Sequence, residues 1–534
     1  MYSVNRAMHL VRFCRPYPGL INKEVKVINT WSSHTASTST VVRNDRSLPS
    51  EIKPFSAVPG PKGLYNVPFI GAALHFKPFT KYTANEINDL LTDMRKKYGD
   101  IFKIKFGKDY MVYINHPDDA KTILQAHYEV HKRISFDLSE TLAEREKVNK
   151  GLILLNGKEW ADLRKPTQEK MLRPAVVASY VPLIEKVTND FVDNLKKKKQ
   201  VDDLLWELNN YTIESVGMLC FNKRLGCLDE GTNSPAEVAV ALRNIFDMLQ
   251  KSFFMPLKMY LYFKTPFYKR FEQEGRKFME VVSTETAIQN EFLTKLKKEG
   301  KLEEYLENEP NFMYSLLADG RLSEDQISSV VSDLFGAGID STANTLVFLL
   351  AQLALNPDKQ AKLYDEIQQV VGNSRHLTKE HLAKMSYLKA CLKESHRKIF
   401  PISFGVLRIL ESDLVVGGYQ MPKNTVLAIN NRSMAMDDRF YYRPTEFLPE
   451  RWLRETTGDI AKSKEFPFAH KPFGFGPRAC IGQRFAENEI FIAATKIVKN
   501  FHVSMPSDVK EIKTTLKIFT TPSEKIKMNF LERQ

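Results

Sequence analysis

The sequence predicts a mainly α-helical fold with small β-sheets, and three observations predict it. From about residue 160 to 400, apolar residues recur at helical spacing, interrupted by proline-containing loops. One stretch, from Ser323 to just before Pro357, holds no proline and can run as a single helix of about 30 residues, on the order of 45 Å. Strand patterns, by contrast, are few and short. The chain has 534 residues, 43% of them apolar, enough to bury a large core. Neither an internal repeat nor a long low-complexity linker divides it after residue 60.

The first 23 residues carry Arg6, Arg12, Arg15 and Lys23 with no acid before Glu24, and a Ser/Thr-rich stretch follows at Ser32 to Thr40. A basic, acid-poor, hydroxyl-rich leader is the pattern of a mitochondrial transit peptide. We therefore expect a leader over 1–47 and a single domain over 48–534. The Pro59-Gly60-Pro61 turn starts the compact part. No run of 18 apolar residues supports a membrane-spanning helix. The net charge of +13 admits an anionic membrane or an acidic protein partner; no nucleic-acid motif accompanies it. The five cysteines are scattered, without CxxC or metal-finger spacing, which disfavours a disulfide framework.

Ile101 to Phe106 alternates apolar and basic residues, as a half-exposed strand does, and turns through Gly107-Lys108-Asp109 into a second strand at Met111 to Ile114. Leu414 to Val416 and Thr425 to Ile429 read as further strands. The long helix opens on a capping box, Ser323 with Gln326, and Ile327, Val330, Val331, Leu334, Phe335 and Ile339 mark a buried face. Its middle breaks helix rules: Gly336-Ala337-Gly338-Ile339-Asp340-Ser341-Thr342 sets weak helix formers beside an acid that needs partners if buried. Such local conflict is expected at working sites.

The most specific segment is Phe473-Gly474-Phe475-Gly476-Pro477-Arg478-Ala479-Cys480-Ile481-Gly482. Its glycines allow tight turns and close approach to a large planar ligand. A helical pattern resumes after Gly482, so Cys480 stands just ahead of a helix N-terminus, where the dipole and backbone amides favour a thiolate. This segment resembles the haem-binding loop of cytochromes P-450, a family whose haem iron is held by a cysteine thiolate. Other motifs of the family follow in order over nearly the whole chain after about residue 55.

The resemblance implies a cytochrome P-450 fold, with haem b between the long helix and the cysteine loop, and Cys480 as axial iron ligand. It implies that Phe473 belongs to the cofactor-binding loop, and that Trp160, Arg164, Arg408 and Arg478 face the haem propionates, a task suited to the planar guanidinium fork. Glu394 and Arg397, three apart on a helix, with Arg451 from Phe447-Leu448-Pro449-Glu450-Arg451-Trp452, imply a buried structural network. Asp340, Ser341 and Thr342 fall where the family delivers protons to dioxygen. Ser341 stands where Thr is usual, and its greater rotamer freedom implies either less well ordered proton delivery or a task shared with Thr342; the other reading is that the hydroxyls bond back along the helix.

The expected activity is monooxygenation: one atom of O2 enters an apolar substrate (steroid, sterol, fatty acid or xenobiotic), with electrons from NADPH through a ferredoxin reductase and ferredoxin. Lys389 and Lys393, with Arg484, resemble the docking patch for an acidic ferredoxin in mitochondrial members; Gln483 departs from the basic residue common there. Arg224-Leu225-Gly226-Cys227-Leu228 also resembles that branch. Phe253 to Phe263 resembles a loop that dips into a bilayer, a core helix being the other reading, and either way it borders the expected substrate entrance. The expected location is therefore the matrix side of the inner mitochondrial membrane. A haem-thiolate isomerase or dehydratase, a non-catalytic haem sensor or carrier, and a microsomal enzyme fed by a flavoprotein are the alternatives.

Overall fold

A computed structural model describes residues 51–534 apart from 69, 107–108, 135, 230–235, 256, 309, 403–404 and 534. The leader expected over 1–47 and the Gly107-Lys108 turn lie outside the described residues. Residues Leu48–Gln534 group as one compact unit.

The long helix is Glu324–Leu355, capped as the sequence indicates: the Ser323 amide donates to Gln326 Oε1 at 2.9 Å, and the Gln326 amide to Ser323 Oγ at 3.3 Å. By length and composition it could cross a membrane, yet most of it is sheathed by protein. It is the core helix about which the others pack. The glycines in its middle have a packing cause. A Cβ on Gly338 would stand 3.0 Å from Val216 on the helix Leu204–Phe221, and one on Gly336 3.1 Å from Phe278 on the helix Pro266–Lys298.

The first sheet has four strands, ordered Ile101–Phe106, Asp109–Ile114, Val426–Ile429 and Val406–Ile409. Pairing runs antiparallel, parallel, antiparallel, with Ile104 opposite Met111, Met111 opposite Val426 and Leu407 opposite Ala428. Phe102 and Ile104 are buried while the Lys103 ammonium lies 4.5 Å from the Phe55 ring centroid, as the alternation requires. This sheet holds Arg408 against the cysteine loop. A two-stranded hairpin, Thr514–Lys517 with Phe519–Pro522, carries Ile518 and Phe519 to the same cavity wall.

Candidate active site

The site forms where the long helix, the helix Ser386–Lys398 and the loop ahead of Gln483–Asn500 meet. In that loop, Gly474 and Gly476 take φ of 75° and 73°, the left-handed region glycine enters without steric cost. The chain folds back so that the Cys480 amide donates to the Phe473 carbonyl at 2.8 Å. Cys480 thereby lines a cavity of about 850 Å³, to which it is exposed. The other described cysteines (Cys220, Cys227 and Cys391) are buried away from it. Burial pushes the Cys480 thiol above its ordinary range, against the Gly482 amide and the charges of Arg164 and Arg133, which favour the thiolate.

Four guanidinium groups crowd this wall, and none has a carboxylate partner among the described residues. Arg478 lies over the Trp160 ring, 3.8 Å from its centroid, and donates to the carbonyls of His131 at 2.9 Å and Leu155 at 2.8 Å. Arg408 donates to the Phe475 carbonyl at 2.6 Å, and Arg164 to the Ala479 carbonyl at 2.8 Å. The fourth, Arg133, donates to the Arg478 carbonyl at 2.5 Å. Sequence reasoning missed it, because a lone Arg in a loop carries no motif. Burial first, then mutual repulsion, brings Arg478 down to about 9; burial brings Arg408 to about 10, with Arg133 adding to it. Clustered like charge of this kind is relieved by a polyanion. Trp160 thus acts as a shelf for Arg478, and Arg164 sits on the cysteine side of the cluster.

The long helix forms the opposite wall, and Asp340 is buried on it beside the cavity-lining Ser341; desolvation raises it to about 6, and the nearby positive charges of Arg243 and Lys517 pull against that shift. Ser341 and Thr342 both line the cavity. The Ser341 hydroxyl bonds back along the helix, to the Ala337 carbonyl at 2.6 Å. A second helix acid went unforeseen: Asp333 accepts the Ile153 amide at 2.9 Å, and burial lifts it to about 7. The rest of the lining is chiefly apolar, with Leu242, Phe246, Leu249 and Phe519 prominent.

Glu394, Arg397 and Arg451 meet as a buried charged cluster. The Arg397 side chain donates to both Glu394 oxygens, at 2.9 and 2.7 Å, and Arg451 Nε to the same oxygens at 3.1 and 3.0 Å. Trp452 and the Leu448 amide complete the carboxylate's shell at 2.8 and 3.0 Å. All three charged residues are fully buried. Burial would raise Glu394, but Arg397 and Arg451 outweigh it and hold the carboxyl below its usual range.

On the outer side, Lys393 is exposed beside Trp452, and Lys389 is half-buried, donating to the Ala383 carbonyl at 2.7 Å. Arg484 is exposed and bonds the Leu172 carbonyl, while Gln483 bonds Glu487 at 3.1 Å. The Arg224 segment has a structural cause: its guanidinium and the Leu225 and Cys227 amides converge on the buried Glu214 carboxylate. In the Phe253 to Phe263 stretch, Phe254 and Tyr260 are buried, whereas Leu257, Met259, Leu261, Tyr262 and Phe263 are exposed.

A large apolar cavity, one cysteine facing it and unpaired arginines around that cysteine fit a flat dianionic macrocycle whose metal takes a thiolate. That combination defines a haem-thiolate protein. The chain belongs to the cytochrome P450 family, whose profile matches residues 61–530. It is 31% identical to cytochrome P450 CYP12A2 of Musca domestica over 81% of this chain and 84% of that protein. It is likewise 31% identical to a probable cytochrome P450, CYP44, of Caenorhabditis elegans, over 86% and 91%. To the mitochondrial 1,25-dihydroxyvitamin D(3) 24-hydroxylase of Mus musculus it is 28% identical, over 90% of each. The chain is accordingly a monooxygenase-class oxidoreductase whose cofactor is haem with an axial cysteine thiolate.

Proposed function

We propose that this protein inserts one atom of dioxygen into an apolar substrate in the mitochondrion, with Cys480 as the iron ligand. The observation that carries the assignment is the set of arginines with no acid partner around the only described cysteine facing the cavity. Arg133, Arg408 and Arg478 would hold the propionates, with Trp160 fixing Arg478 and Phe473 shaping the loop. Arg164 would reinforce both the propionate side and the thiolate. Glu394, Arg397 and Arg451 would keep the floor rigid.

Bound there, the haem supplies dioxygen activation and transfer of one oxygen atom, the other leaving as water. The chain's own residues hold and move the protons. Asp340, at about 6, sits close enough to neutrality to take a proton from the Arg243 and Lys517 side and release it into the cavity. Ser341, whose hydrogen is committed to Ala337, accepts rather than donates. Thr342, which has no recorded hydroxyl partner among the described residues, is the freer donor. The apolar lining excludes bulk water and selects an apolar substrate.

Electrons would come from NADPH through a reductase and an acidic ferredoxin docking at Lys389, Lys393 and Arg484. The vitamin D hydroxylase and other relatives are named as mitochondrial, which supports that route. The exposed residues Leu257, Met259, Leu261, Tyr262 and Phe263 would rest on the matrix side of the inner membrane. Reconstitution with ferredoxin and its reductase tests the reading. NADPH and dioxygen should be consumed in step with a product that gains one oxygen. Product formed without electrons, by rearrangement of a preformed peroxide, would overturn it.

A further inference from the structure

Beneath the long helix lies a second, much smaller chamber. Its volume is about 10 Å³, and Ser341, Asn344, Thr345, Ser395, His396 and Thr520 contribute its polar lining. That volume is about the least that holds one water.

The polar groups around it do not satisfy one another. Asn344 gives one Nδ2 hydrogen to the Asp340 carbonyl at 2.7 Å, and its Oδ1 is buried without a partner among the described residues. The hydroxyls of Ser341, Thr345 and Thr520 donate to the carbonyls of Ala337, Ser341 and Phe400, at 2.6, 2.8 and 2.6 Å. Each keeps only acceptor capacity. The Asn344 Oδ1 is thus left awaiting a donor, and the other donors at the wall are the second Asn344 Nδ2 hydrogen and the Ser395 hydroxyl. His396, buried one position before Arg397, has no recorded hydrogen-bond partner among the described residues. Its ring stands edge-on to Phe473, centroids 5.6 Å apart. Burial keeps it neutral at working pH, lowering it to about 4, so it brings one N–H.

We propose that this chamber is a binding site for a single structural water, bridging His396 to Asn344 and Ser341. Water gives one hydrogen to the orphaned Asn344 Oδ1 and the other to Ser341 Oγ, while a lone pair accepts from the His396 ring. The bridge keeps the Ser341 hydroxyl turned toward Ala337 and away from the main cavity. Asn344, which does not line the main cavity, and His396, which borders both spaces, are thus positioning residues for Ser341. The bridge also ties the helix bearing Asp340 to the one bearing Glu394. The water site stands on this geometry alone, and only its consequence for proton delivery rests on the function proposed above.

A high-resolution crystal structure of the haem-loaded full chain tests it. We expect an ordered water within hydrogen-bond distance of Asn344 Oδ1 and a ring nitrogen of His396. His396→Leu should expel that water and release Ser341 into a second rotamer, whereas His396→Gln, which keeps a donor, should retain both. A denaturation cycle with Asn344→Ala and His396→Ala gives an independent readout. The double variant should lose less stability than the two single losses combined, because one bridge is broken only once. A dry chamber in a wild-type structure that shows other buried waters, or an additive cycle, would overturn the proposal. The carbon-monoxide spectrum of the same preparations reports separately on the haem-thiolate assignment.

Discussion

Asp340 is a carboxyl whose environment works against its charge. Its folded value of about 6 lies above the ordinary 3.8 because burial outweighs the attraction of Arg243 and Lys517. Between those values the unfolded chain has released its proton and the folded chain still holds it. Stability should therefore fall as pH rises from about 4 to about 6 and level off above, relative to an Asp340→Asn variant that cannot titrate. Denaturant midpoints across that range check the sign; parallel curves for the two proteins would contradict it. The same variant removes a proton carrier without touching the cysteine loop. Its rate of product formation should drop on the order of a hundred-fold while haem content stays level.

The Glu394 cluster makes the matching argument for an element. One carboxylate serves two buried guanidiniums, so removing it strands both. Glu394→Ala should destabilise the fold by about 3–5 kcal/mol, read from the denaturant midpoint together with loss of bound haem. Much of this framework was legible beforehand. The capping box, the proline-free length and the ten-residue cysteine loop are local patterns, and each fixes its element from nearby residues. The illegible parts depend on contacts between distant segments. Arg133 joins the cluster only because its loop folds against residue 478. Gly338 reads as a functional irregularity until Val216 is seen against it. Apolar spacing likewise gives no sign that Glu489, between Asn488 and Ile490, sits fully buried, where desolvation pushes its carboxyl up against the pull of Ser215. For Ser341 the sequence leaves its role in proton delivery open, and the fold adds a hydroxyl bond back to the Ala337 carbonyl at 2.6 Å.

For the whole molecule, charge sorts the surfaces. The wall behind Cys480 carries exposed Lys393 and Arg484 with half-buried Lys389, while the apolar residues near Leu257 belong to another surface segment. An acidic ferredoxin should bind more weakly as salt rises, and Lys389→Glu with Lys393→Glu should lower its affinity without changing haem content. A flat salt response would remove the docking assignment and leave the chemistry of the cavity untouched. That chemistry depends on sulfur donating to iron as an anion, and one spectrum interrogates it directly. Reduced, haem-loaded protein treated with carbon monoxide should show the Soret band of a thiolate-ligated haem, and Cys480→Ala should abolish it. A band at the position seen for imidazole-ligated globins, or an unchanged pigment in the alanine variant, would contradict the account.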